Sequence, residues 1–201
     1  MKGPIDRMTE RLPPGWRTAA DWLITIVVAV GAVLAIKAWV VNPYRIPSSS
    51  MEPTLHCAEP GVGCQAGFSD RVLANRFIYH FTEPERGDIV VFDTPPAASA
   101  CEAGLGGTTF VKRIVGLPGE KLAVRDGIVY IDGKPLKEDY LADGPDERTE
   151  REQVIPRDHY FMMGDNRPHS CDSRDWGAVP RENLIGEVFA VYWPPQRIGF
   201  R

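Results

Sequence analysis

Residues 109–137 read TFVKRIVGLPGEKLAVRDGIVYIDGKPLK, and their rhythm is that of antiparallel sheet. Thr109 to Val115 is β-branched or aromatic except at Lys112 and Arg113, a composition that suits a pleated, half-buried surface. Gly116-Leu117-Pro118-Gly119 ends it with turn residues. Val124 to Ile131 has Asp126-Gly127 at its centre, the dipeptide that favours a two-residue hairpin turn, and Asp132-Gly133 follows at once. A small meander is therefore expected at 122–137. Asp70–Asn75, Asp88–Phe92 and Glu187–Trp193 read as further strands on the same grounds. The 201 residues include 19 glycines and 18 prolines, which favours many short elements over a helical bundle. The expected fold class is mainly β and antiparallel. Residues 138–153, dense in Glu, Asp and Arg, read as a solvated loop, and 94–108, rich in Pro, Ala and Gly, as another.

One segment breaks this pattern. Residues 22–41 read WLITIVVAVGAVLAIKAWVV, with Lys37 as the sole charge. Twenty helical residues span about 30 Å, the thickness of a bilayer's hydrocarbon layer. Trp22 and Trp39 stand near its ends, where aromatic rings favour the interface, and Lys37 is close enough to one end to snorkel. Lys2, Arg7, Arg11 and Arg17 precede the segment against Asp6, Glu10 and Asp21. The excess of Lys and Arg places the N-terminus in the cytoplasm and everything after residue 41 outside. The expected division is a cytoplasmic segment at 1–21, a single transmembrane helix at 22–41, and an extracytoplasmic domain at 42–201 with a small β insert at 122–155. A buried soluble helix would rarely be apolar on every face. A cleavable signal peptide, cut after Val33-Leu34-Ala35 or Ile36-Lys37-Ala38, is the stronger competing reading, but the apolar run is long for one. The mean hydropathy of −0.22 thus averages two unlike parts.

Beyond residue 41 the chain carries 18 basic and 24 acidic residues and no basic run. Nucleic acid is therefore not an expected partner. All four cysteines, Cys57, Cys64, Cys101 and Cys171, lie in this part, and an even count in an oxidising compartment points to two disulfides. Cys57 and Cys64 close a short loop containing Pro60, Gly61 and Gly63, so they are paired first, which leaves Cys101 with Cys171. A zinc site using His56, Cys57, His169 and Cys171 lacks the usual paired spacing. No metal and no cofactor are expected.

The chemistry-bearing residues fall in four blocks. Pro47-Ser48-Ser49-Ser50-Met51-Glu52-Pro53-Thr54-Leu55 follows the apolar segment. Arg86-Gly87-Asp88 comes next, then Phe110-Val111-Lys112-Arg113, which sets a lysine in an apolar strand. Last, Met163-Gly164-Asp165-Asn166-Arg167 leads through Ser170 to Asp172-Ser173-Arg174-Asp175-Trp176-Gly177. Together, and in this order, they resemble the type I signal peptidases, membrane-anchored serine proteases that remove signal peptides from exported proteins. The resemblance covers nearly all of the chain beyond the apolar segment.

That resemblance implies a catalytic domain of the signal-peptidase type in which Ser50 is the nucleophile and Lys112 its general base. A serine hydroxyl needs a base within hydrogen-bond reach, and a lysine serves only as the neutral amine, so its pKa must fall well below the free value of about 10.4. Burial against Phe110 and Val111 supplies that shift, with added repulsion if Arg113 lies close. The Ser48 hydroxyl and the Ser50 backbone N–H would form the oxyanion hole. Ser170 would orient the Lys112 amine, and Asp172 and Arg174 would brace that loop as a supporting ion pair. Substrates of the family carry small residues, commonly alanine, at the first and third positions before the cut. The positions matching the pocket lining are Tyr44, Ile46, Met51, Leu55, Val72, Val91, Phe110 and Val111. The substrate should lie extended beside 109–112 and Ile46–Ser48. Ser50 stands only nine positions beyond Val41, a reach of at most about 30 Å, which suits cleavage at a membrane face.

Some positions depart from the family's pattern. Pro168-His169 follows Gly-Asp-Asn-Arg where Asp-Asn is usual, Ser69-Asp70 stands for a Gly-Asp pair, and Ser49 replaces a frequent glycine. A cysteine protease built on Cys171 with His169 or His159 is a competing enzyme reading, although a disulfide explains that cysteine more simply. An anchored, non-enzymatic adhesion module would leave Ser50 and Lys112 apart. Self-cleaving repressors share Ser–Lys chemistry but carry a DNA-binding head where this chain has its apolar segment. The expected partners are preproteins bearing signal peptides and the lipid bilayer, with the chain acting as a monomer.

Overall fold

The computed structural model describes residues 14–100, 109–141 and 146–201; at 14, 15, 17, 35–39, 99 and 100 the description is of the backbone alone. The chain divides into two compact units, 1–41 and 42–201.

In the first unit, α1 (Pro14–Trp39) is a continuous helix of 26 residues, about 39 Å at 1.5 Å per residue. Its N-terminal turn starts at Pro14, a residue that suits the first helical position because its missing N–H would be unsatisfied there anyway. Leu23, Ile26, Val27, Val28, Val30, Val33 and Leu34 are each more than half exposed, so apolar side chains face outward on all sides. Among the described residues no helix is long and apolar enough to cross a membrane. The apolar run continues through 35–39, whose side chains lie outside that description.

The second unit is mainly β. Its strands are β1 (Val41–Arg45), β2 (Arg71–Asn75), β3 (Ile89–Asp93), β4 (Thr109–Gly116), β5 (Lys121–Arg125), β6 (Ile128–Ile131), β7 (Lys134–Pro135), β8 (Glu150–Val154), β9 (His159–Met163), β10 (Val179–Pro180), β11 (Leu184–Trp193) and β12 (Gly199–Phe200). The larger sheet runs β1-β2-β11-β3-β4-β9-β10, with β12 also on β11, and the smaller runs β7-β6-β5-β8. The ladders between β2, β11, β3, β4 and β9 are all antiparallel.

Adjacent residues of a strand face opposite sides of the sheet, and β3 is buried on both. Ile89 and Val91 pack with Ile46, Met51, Leu55, Val72 and Val188. Val90 and Phe92 pack with Ile114, Tyr160, Met162 and Val179. A third cluster, with Leu122, Val124, Val129, Ile155, Phe161 and Met163, ties the small sheet to the large one.

The hairpin expected at 122–137 is present. Val124 faces Val129 and Arg125 faces Ile128 across the Asp126-Gly127 turn. Asp126 and Gly127 have φ of 48° and 77°, and Asp132 and Gly133 repeat this at 49° and 77°, the left-handed pair that a type I′ turn requires. The segment 138–153 departs from its expectation as a solvated loop. Residues 150–153 belong to β8 and pair with β5. Glu138 and Asp146 have side chains only 4% and 7% exposed, because they meet buried arginines described below. In the other expected loop, Pro96–Ala100 forms a 3-10 turn, and 101–108 lie outside the described residues.

Candidate active site

Ser50 sits in a single 3-10 turn, Ser49–Met51, between β1 and β2. Met51 and Leu55 anchor the turn in the core at 1% and 0% exposure. The Asn166 backbone N–H donates to the Ser50 carbonyl at 3.0 Å, and its side-chain amide donates to the Ser49 carbonyl at 3.1 Å. The turn is thereby strapped to the 164–170 loop across more than a hundred residues. Gly164 is needed in that loop for close approach: a Cβ there would stand 2.4 Å from the Ser50 carbonyl oxygen and 2.3 Å from Ser170 Oγ.

Lys112 lies in β4 opposite Val90. Its Nζ is 2.6 Å from Ser50 Oγ and 5.5 Å from the centroid of the Phe110 ring. Lys112 is 3% exposed and Ser50 7%. Desolvation of that order disfavours an ammonium relative to the neutral amine. Arg113, the next residue, points to the opposite face of β4. Its guanidinium binds Asp165 through two bonds, at 2.8 and 2.6 Å, which Thr54 Oγ1 reinforces at 2.5 Å. Ser48 Oγ lies 3.3 Å from Ser50 Oγ.

Asp172 and Arg174 form a bidentate pair at 2.8 and 2.7 Å, both side chains being fully buried. Burial alone would raise the Asp172 pKa; the Arg174 guanidinium, with the Gly164 amide, outweighs it and holds this carboxyl below its ordinary value. Arg174 also donates to Asp146 at 2.7 Å and to the Arg167 carbonyl at 2.9 Å. Arg167 binds Glu138, and Arg148 donates to the carbonyls of Arg167 and Ser170 at 2.7 and 3.0 Å. Ser170 is 5% exposed. Its hydroxyl helps keep Asp172 charged, yet its Oγ has no well-directed hydrogen-bond partner among the described residues; the structure does not bring it into a bond with Lys112.

Of the eight positions matched to the pocket lining, Tyr44, Ile46, Met51, Leu55, Val72, Val91 and Val111 converge in one cluster. Phe110 packs instead with Phe92 and Trp176, on the face it shares with Lys112. A cleft of about 740 Å³ opens beside Ser170, between His169, Arg148 and Asp175; it is not lined by Ser50 or Lys112. Asn166, Glu138 and Arg148 are positions that the motifs did not assign to the site, and only Asn166 stood inside one.

Cys57 is bonded to Cys64, which removes it as a thiolate ligand for zinc. Among the described residues no group of three or more His, Cys, Asp or Glu side chains is placed to hold a metal. The second pairing, Cys101 with Cys171, involves Cys101, which lies outside the described residues. Cys171 is itself disulfide-bonded, so it offers no thiolate nucleophile.

Comparison with known proteins gives one consistent family. The family model described as "Signal peptidase, peptidase S26" matches residues 19–193. A "Signal peptidase I" of Leptolyngbya laminosa is 36% identical over 208 residues, spanning 99% of this chain and 96% of that protein. A "Probable signal peptidase I-2" of Synechocystis is 41% identical over 87% of this chain and 73% of its own length. A crystal structure of a signal peptidase I from Enterococcus faecalis aligns with 53% of this chain and 97% of its own, at a TM-score of 0.43 and 33% identity.

Proposed function

The chain belongs to the signal peptidase family, peptidase S26, and from that premise we propose that it is a membrane-anchored endopeptidase that cuts N-terminal signal peptides from exported preproteins, with Ser50 as nucleophile and Lys112 as general base. The observation that carries this reading is the 2.6 Å contact between Lys112 Nζ and Ser50 Oγ in a nearly dry setting.

The neutral amine takes the hydroxyl proton as Oγ attacks the scissile carbonyl. The Ser48 hydroxyl and the Ser50 N–H receive the developing oxyanion. The ammonium then returns its proton to the departing amine, leaving an acyl-serine that water hydrolyses with Lys112 again as base. Ser170 and the Asp172–Arg174 pair hold the loop behind the amine.

An extended substrate has an edge to join. Residues 109–112 of β4 pair with β3 on one side, whereas β9 begins its pairing only at Arg113. A peptide laid along 109–112 on the side where β9 later pairs would present alternate side chains to the cluster around Ile46, Met51, Leu55, Val72 and Val91. Shallow apolar pockets in that cluster would admit alanine and exclude larger groups, which is the specificity proposed for the first and third positions before the cut.

The all-round apolar exposure of α1 supports the anchor, running on through 35–41 by sequence. The proposed arrangement is 1–21 in the cytoplasm, 22–41 across the bilayer, and 42–201 outside, with 122–155 as a non-catalytic insert and the enzyme monomeric. Full-length protein should stay in the membrane pellet through an alkaline carbonate wash; recovery in the wash would overturn the anchor.

The direct test incubates purified full-length chain with a preprotein and sequences the new N-terminus. A cut after alanine, lost when that alanine is replaced by a large residue, is the expected result. Because the base must be unprotonated, kcat/KM should fall as pH is lowered through the Lys112 pKa and hold on the alkaline side. A profile flat across that limb, with chemistry rate-limiting, would remove Lys112 from the role.

A further inference from the structure

Glu52 stands inside the serine block, and the chemistry above makes no use of it. It is wholly buried. Its Oε1 accepts the backbone N–H of Cys57 at 3.1 Å and of Gln65 at 3.4 Å. One oxygen thus holds both ends of the loop closed by the Cys57–Cys64 disulfide. Oε2 meets His56 Nδ1. The far side of the loop returns to the serine turn, where Ser49 Oγ donates to the Val62 carbonyl at 2.9 Å. Gly63 allows that approach: it has φ +73°, and a Cβ on it would come 2.7 Å from Ser49 Oγ. The Glu52 N–H donates to the Ser49 carbonyl at 3.0 Å. These contacts close a ring that begins and ends on Ser49, one residue before Ser50.

We infer that Ser49, Glu52 and the disulfide-closed loop 57–64 act as positioning residues for the nucleophile, an inference that rests on the assignment of Ser50 above. The serine at position 49 then has a use that glycine could not supply, since its hydroxyl is the link between turn and loop. Asn166 straps the turn from one side, and the Ser49–Val62 bond ties it to the disulfide loop. A displacement of about 1 Å at a reacting atom can cost about 100-fold in rate. The disulfide limits how far the 58–63 segment can move, and Glu52 transmits that limit to the backbone of the turn. Neither Ser49 Oγ nor the Glu52 carboxylate needs to touch the substrate for this.

Full-length Ser49→Ala and the Cys57→Ala/Cys64→Ala pair, assayed on a preprotein in micelles, test the ring. Each should lose about 10- to 100-fold in kcat with KM held within about two-fold, as expected for misplacement of a reacting group. The triple variant should be no slower than the slower parent, because both changes open the same ring. Multiplied losses in the triple variant, or losses confined to KM, would overturn the inference. So would wild-type rates in both parents while Ser50→Ala is inactive, which leaves the Ser50 assignment standing. Cleavage by Ser50→Ala would instead remove the assignment beneath it. Ser49→Ala deletes a single hydroxyl, so it carries the test alone if the cysteine pair variant melts below the assay temperature.

Discussion

Ser50→Ala is expected to reduce preprotein cleavage to background, and Lys112→Met to lower it by at least about 10²–10⁴-fold, the usual contribution of a positioned base. Lys112→Arg discriminates between the roles a cation can have. Arginine keeps the positive charge and reach but does not deprotonate in proteins, so it should be as inactive as Met if the group is a base. Activity retained by Arg and lost by Met would make Lys112 an electrostatic partner instead. The double variant Ser50→Ala/Lys112→Met should be no worse than Ser50→Ala, since the two groups act as one unit. Folding is not expected to suffer in Lys112→Met, because exchanging a buried ionisable group for an apolar one of like size is often neutral or stabilising. Circular dichroism melts would verify this, so that lost activity reads as lost chemistry. A Lys112→Met protein that folds and keeps more than about a tenth of the wild-type rate would exclude the base role.

Ser50 and Lys112 lie 62 residues apart and are legible because each stands inside a short block of particular residue types. A serine between prolines or a lysine in an apolar strand would alone pass as linker or ordinary strand; the four blocks in order mark them out. The supporting shell has no such local signature. Arg167 meets Glu138 across 29 residues and Arg174 meets Asp146 across 28, so a segment that looked solvent-facing in composition proved to neutralise buried guanidinium groups. Charge content alone does not distinguish a solvated run from one that faces buried partners. His159–Met163 went unread as a strand for a related reason. It is short and buried on both faces, and so lacks the alternation that marks a half-exposed strand. Phe110 was placed with Val111 in one lining, yet neighbours on a strand point to opposite faces. Whether Arg113 lies beside Lys112 is left open by the sequence, and that same alternation sends it to Asp165.

The largest effect on stability is expected at Asp172 and Arg174. Arg174→Ala leaves a carboxylate with 0% exposure and no guanidinium. Breaking a buried pair from one side costs about 3–5 kcal/mol, and in a folded unit of this size each kcal/mol lowers Tm by roughly 2–4 °C. A fall of about 10 °C is the expected result, whereas an exposed pair such as Lys137–Asp139 should move Tm by less than about 2 °C when broken. The pair also fixes the pH response. The Asp172 carboxyl is held below its ordinary value of 3.8 in the folded chain, so the unfolded state takes up the proton first on acidification. Its contribution is therefore present above that ordinary value and lost as pH falls through the depressed one. Melting curves of wild type and Asp172→Asn should be far apart at neutral pH and approach each other below about pH 4. Asp172 further accepts the Gly164 N–H at 3.1 Å, and Gly164 lies against the Ser50 carbonyl. Asp172→Asn should for that reason lose kcat at temperatures well below its own Tm. An Asp172→Asn protein that melts with wild type at pH 7 would show that this pair carries neither the loop nor the site.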